Sequence, residues 1–163
     1  MREETTFDFN DGNGLVPAKR HKNPDGTTGG WVADSATVEN SAWIAPYAKV
    51  YGNACVFGKT RILGHACVFG NASVFGDALI YGNALVYGKA EIYDRAWVGE
   101  NSTIGDNAKV FSGGVFGNAK IKGKSEIKNK RFQFDFNYSF VEEEFEKEEV
   151  KEKEVKEKEL ENS

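Results

Sequence analysis

From position 48 the chain reads AKVYGN (48–53), ACVFGK (54–59), TRILGH (60–65), ACVFGN (66–71), ASVFGD (72–77), ALIYGN (78–83), ALVYGK (84–89), AEIYDR (90–95), AWVGEN (96–101), STIGDN (102–107) and AKVFSG (108–113). The period is six. Each unit carries a small residue, a variable residue, an aliphatic residue, usually an aromatic, and then a polar turn pair. The aliphatic position runs without a gap through Val32, Val38, Ile44, Val50, Val56, Ile62, Val68, Val74, Ile80, Val86, Ile92, Val98, Ile104 and Val110. One residue is lost near Gly113, and the series resumes at Val115, Ile121 and Ile127. Two positions before the aliphatic stands Ala, or a small substitute such as Thr60, Ser102 or Ser125.

Strand geometry explains the pattern. Side chains alternate faces along a strand. Residues two apart, Ala and the aliphatic, therefore point the same way. The residue between them points oppositely and varies freely, as in Cys55, Arg61, Ser73, Glu91, Trp97 and Lys109. The Gly and Asn/Asp/Lys pair supplies a corner where positive φ is tolerated. So short a strand cannot bury its apolar face alone, but stacked coils can, laying Val on Val and Ala on Ala. Three strands close a triangle of about 18 residues, so the repeat makes roughly five to six coils. This arithmetic leaves the handedness open.

Working outward, residues 1–30 hold Gly12, Gly14, Pro17, Pro24, Gly26, Gly29 and Gly30. They read as a turn-rich lead-in that covers the first coil, because an open coil presents unpaired edge groups. Trp31 is a natural lid over that coil. Residues 31–128 form the solenoid. Residues 129–140 contain RFQFDFNYSF (131–140), in which Phe132, Phe134, Phe136, Tyr138 and Phe140 fall on one face. That alternation predicts a strand that caps or packs along the solenoid. Residues 141–163 hold eleven Glu and five Lys, a net charge of −6. Glu149–Lys153, Glu152–Lys156 and Glu154–Lys158 stand four apart with Glu first, which favours a solvated helix.

The repeats resemble the hexapeptide-repeat family of left-handed β-helices. The resemblance covers about Trp31 to Ile127, and IGDNAKV (104–110) matches the family consensus closely. GTTGGWV (26–32) followed by YGNA-type repeats is similar to small bacterial and phage proteins of this kind. The resemblance implies an all-β, single-stranded left-handed parallel β-helix. It also implies association along the sides, a trimer being the natural arrangement. It does not carry a function, because function lives in sites grafted on folds.

Charge and motifs narrow the function. The chain has net charge −4, so the residues before the tail carry about +2. No concentrated basic stripe is present for nucleic acid. No apolar run reaches a membrane span, and MREETTFDF (1–9) lacks the apolar stretch of a signal peptide. A soluble protein of the cytoplasm, or of a host's cytoplasm if phage-encoded, is expected. Cys55 and Cys67 read as reduced thiols on different sides, and no metal-ligand spacing surrounds them.

Hexapeptide acyltransferases use a His base and often a loop thrown out of the coil. Only His21 and His65 are present, and the repeat shows a deletion rather than an inserted loop. His65 takes a corner position, where a His tolerates positive φ, and is a weak catalytic candidate. His21 reads as a loop residue. Two His cannot supply a three-His zinc site from one chain. No P-loop is present. No cofactor and no metal are expected.

The outward residues stack into ladders at a period of 18. One side carries Tyr51, Phe69 and Tyr87, and a second Phe57, Phe75, Tyr93 and Phe111. The third carries Trp43, Arg61, Leu63, Leu79, Tyr81 and Trp97. Stacked rings stabilise adjacent coils, but Trp and Tyr with one Arg is the composition of an interface. The third side is therefore the expected binding surface, for further copies of the chain or a protein partner. The alternatives are an acetyl-CoA-dependent acyltransferase using His65 and a glycan-binding phage or surface component. The assigned register makes Val74→Asp the decisive variant, because it buries an unpaired charge. Thermal denaturation is expected to find it unfolded; an unchanged midpoint would exclude the register.

Overall fold

A computed structural model describes residues 5–128 in full and the backbone of residues 131–140. The described residues form nineteen strands, numbered in chain order, and no helix. Parallel stacked sheets make a β-solenoid of about five turns.

Three faces result. The first stacks β3 (Thr28–Ala33), β6 (Lys49–Val50), β9 (Cys67–Val68), β12 (Leu85–Val86) and β15 (Thr103–Ile104). The second stacks β4 (Thr37–Val38), β7 (Cys55–Val56), β10 (Ser73–Val74), β13 (Glu91–Tyr93), β16 (Lys109–Phe111) and β18 (Glu126–Lys128). The third stacks β5 (Trp43–Ile44), β8 (Arg61–Ile62), β11 (Leu79–Ile80) and β14 (Trp97–Val98). The longer β17 (Gly114–Ile121) closes the third face at Val115 and the first at Ile121.

Register follows the 18-residue period. Trp43 pairs with Arg61, Arg61 with Leu79, and Leu79 with Trp97. The step to the next coil is 17, from Trp97 to Gly114, which places the lost residue of the sequence pattern at the corner before β17. Along the stacked coils the outward residues donate their N–H to the next coil, as Trp43 to the Thr60 carbonyl at 2.9 Å and Ala45 to Ile62 at 2.8 Å. The inward residue's polar groups point back to the coil before.

The interior is dry and narrow. From Ala42 to Ile127 the inward Ala and aliphatic residues are buried. Each enclosed Val or Ile contributes about 1.5–3 kcal/mol. Thr60, Ser102 and Ser125 are buried polar exceptions. Their hydroxyls donate to the carbonyls of Phe57, Gly99 and Lys122, three residues back, each at 2.7 Å.

Corners need the left-handed backbone. Gly64 and Gly82 take φ of 61° and 67°, and a β-carbon on Gly64 would lie 2.8 Å from the Gly82 carbonyl oxygen. Where glycine is absent, Asp94, Glu100, Asp106 and Ser112 accept positive φ. Two of these acids bond the corner amide of the next coil: Glu100 takes the Gly117 N–H at 2.7 Å, and Asp106 the Gly123 N–H at 3.1 Å. His65 stands at the expected corner, and the positive φ there falls on Gly64.

The lead-in is more ordered than its turn-rich composition suggests. β1 (Thr6–Asp8) pairs antiparallel with β2 (Leu15–Lys22), and β2 antiparallel with β3, which closes the first face's open edge. Trp31 is not a lid over the coil. Its register partner is the outward Lys49, and its ring stacks on Phe7 at 4.7 Å, outside the solenoid wall. His21 is not a loop residue: it lies in β2, is buried, and its Nε2 bonds the Ala42 carbonyl at 2.8 Å. Asn23 completes the third face's edge. Its carboxamide accepts the Ile44 N–H at 2.9 Å and donates to the Ile44 carbonyl at 3.2 Å.

At the other end the backbone of β19 (Arg131–Phe140) pairs parallel with β17, with a register shift between Gly117 and Ala119. Phe132 and Phe140 stand at the register positions of Val115 and Ile121. The acidic segment 141–163 lies outside the described residues.

Asn23→Ala strips two buried backbone groups of their partner. It should destabilise by about 1–3 kcal/mol and speed exchange of the Ile44 amide, as thermal melting and amide exchange would show.

Candidate functional site

On two of the three faces the rings are spent on one another. Phe9 of the lead-in stacks on Tyr51 at 4.7 Å, Tyr51 on Phe69 at 4.9 Å, and Phe69 on Tyr87 at 5.5 Å. That row ends where Tyr87 folds over Gly105; a β-carbon there would sit 2.3 Å from the ring. On the second face Phe57, Phe75, Tyr93 and Phe111 stack at 5.6, 5.4 and 4.7 Å, and the Lys128 ammonium lies 5.4 Å from the last ring. These spacings are close to the strand separation that the ladder imposes. Half-buried, nearly parallel rings of this kind join coil to coil.

Phenol chemistry reflects the packing. Burial pushes Tyr51 up to about 12, with smaller contributions from Cys67 and Asp11. Burial also pushes Tyr93 up to about 12, helped by the hydrogen bond its hydroxyl donates to Glu91 and by that carboxylate's charge. Burial raises the Cys67 thiol as well, partly offset by Lys49. Cys55 and Cys67 are free and lie on the second and first faces.

The third face differs. Register places Trp43, Arg61, Leu79 and Trp97 in one outward row across four coils. Arg61 is exposed, and Trp97 is 46% exposed. Trp43, Leu63, Leu79 and Tyr81 are half-buried. Tyr81 covers Gly99, where a β-carbon would come within 2.0 Å of the ring, and meets Phe116 at 6.4 Å, tilted 49°. Burial, and then the Glu100 charge, raises the Tyr81 phenol. The six expected residues therefore share one face.

An open groove of about 570 Å³ lies at the near end of that face, lined by Pro24, Ser41, Trp43, Lys59, Arg61 and Asp77. Of these, the expected set included only Trp43 and Arg61. Ser41, Lys59 and Asp77 are corner residues 18 apart, so the same period that aligned the strands could have placed them together. Pro24 comes from the lead-in and carries no periodic signal.

His65 lies elsewhere. It is exposed on the corner beyond Leu63, its ring stacked on Tyr47 at 5.2 Å, and it does not line the groove. Tyr47, 70% exposed, was not anticipated from the sequence. Among the described residues no three His, Cys, Asp or Glu side chains gather to hold a metal. No helix among them is long and apolar enough to cross a membrane. No protein-family model, curated protein or solved structure matches the chain.

The raised phenols set a pH limit on the ladders. Unfolding returns Tyr51 and Tyr93 to an ordinary value near 10. Their contribution is therefore complete below pH 10 and is lost as pH climbs towards 12. Phenolate absorbance should show Tyr51 and Tyr93 ionising late. Tyr93→Phe should lose one of them and soften the alkaline fall in melting temperature.

Proposed function

We propose that this solenoid is a non-catalytic scaffold whose third face meets another chain, in the first place a further copy of itself. The observation that carries the reading is the row Trp43, Arg61, Leu79 and Trp97, with Trp97 46% exposed at its end. An outward Trp is not required by the fold, which places Gly, Leu and Arg at equivalent positions. A large ring beside an aliphatic and an Arg is the composition of an interface hot spot. Side-by-side association of left-handed hexapeptide-repeat prisms, as a trimer, suits a flat face of this kind. Such a scaffold needs neither His65 nor a cofactor.

Light scattering across a range of concentrations tests this. The wild-type chain should show a mass of more than one copy, and Trp97→Lys should weaken association by about 2 kcal/mol or more while leaving the melting temperature intact. A second reading rests on the groove, where the Trp43 ring stands beside Lys59, Arg61 and Asp77. An aromatic platform flanked by polar groups suits a sugar ring. A chain that stays a single copy and binds a glycan array through Trp43 would replace the first reading.

A further inference from the structure

The solenoid's first coil has three outer edges, and the described residues close two of them. β2 covers the first face by antiparallel pairing with β3. The side chains of His21 and Asn23 cover the third face, filling the Ala42 carbonyl and both backbone groups of Ile44. The second face starts at β4. Its outward residues Thr37 and Glu39 donate to Ala54 and Val56 of the next coil, both at 2.9 Å. By the alternation that runs through every coil, the Ala36 carbonyl and the N–H and carbonyl of Val38 point the other way. They are the equivalents of the Ala42 carbonyl and the two Ile44 groups. Among the described residues no strand pairs with that edge.

A cavity of about 460 Å³ lies along it, walled by Lys19 and His21 of β2, by Asp34, and by Val32, Ala36 and Val38. Val38 is half-buried, whereas the inward aliphatic residues from Ile44 to Ile127 are fully enclosed. The edge thus combines one donor, two acceptors and an apolar floor.

We propose that this edge is a binding site for an extended peptide, which adds a strand to the second face. The molecule itself names the chemistry. On the third face the two Ile44 groups of that set are met by the Asn23 carboxamide, which is a peptide group in miniature, and the first face is met by a strand. Strand addition to an open sheet edge draws affinity from main-chain bonds and specificity from alternate side chains. The fitting segment places a small residue over Ala36 and an aliphatic over Val38. That is the alternation the next coil presents to the other side of β4. Two N–H groups of the peptide donate to the Ala36 and Val38 carbonyls, and one of its carbonyls accepts from Val38.

The test uses the full chain, nitrogen-labelled, and the capped synthetic peptide ASVFGD, the sequence of residues 72–77. Saturable movement of the Thr37 and Val38 amide signals is expected at millimolar peptide. The same peptide N-methylated at its Ser and Phe amides keeps its side chains and loses both donors, and should bind about tenfold more weakly. Absence of saturable movement at Val38 overturns the proposal. So does movement that the N-methylated peptide reproduces, which would be apolar contact alone. Movement produced by raising the protein concentration without peptide overturns it too, by assigning the edge to a second copy.

Discussion

The structure hangs on one set of bonds: the N–H···O ladders that run along the axis from the outward residue of one coil to the inward residue of the next. They demand that consecutive coils sit at strand separation everywhere, including the corners. There the backbones approach so closely that glycine is favoured twice over, for its φ and for its missing β-carbon, as at Gly58 beneath Gly76. The same separation stacks Ala on Ala within and ring on ring without. The aromatic rows are a consequence of the ladder before they are anything else.

The coils close around the axis but the ladders run open along it, so they must end twice, and the ends are where the chain departs from its repeat. At the start the departures are chemical: an antiparallel strand, a buried His21 and an Asn23 carboxamide substitute for an absent coil. Towards the finish they are geometric. The coil before β17 is one residue short, Tyr81 and Tyr87 close over Gly99 and Gly105, and the Tyr81–Phe116 contact is tilted where the earlier rings are parallel. The third face runs between these ends with more of its large side chains unspent than the other two.

The sequence made the repeat legible because its period of six is carried by residue types with opposed physical demands. Val74 and Ala72 face the dry interior, Ser73 faces outward and is free to vary, and Gly76 takes a positive φ that strains most side chains. The register of every coil follows from that, and so does the alignment of Trp43 with Arg61, Leu79 and Trp97. The lead-in was not legible in the same way. β2 is recognisable only once β3 offers it an edge, and neither His21 nor Asn23 announces a role that depends on backbone groups 21 residues away. The groove was half legible: Ser41, Lys59 and Asp77 obey the period, but only the folded lead-in brings Pro24 beside them. Trp31 misled because an open first coil calls for a lid, whereas the period puts it on the outer wall.

Axial ladders also decide how the molecule meets mechanical load. Strands of two residues contribute few bonds per face, and every bond lies along the same direction. A pull along the axis loads the coils in series, so the weakest end parts first and hands the full force to its neighbour. A squeeze across the prism loads covalent backbone and close-packed Val and Ala, which yield little. The molecule is a stiff rod in cross-section and a zipper along its length, and the side chains of the lead-in are the stop at one end of that zipper.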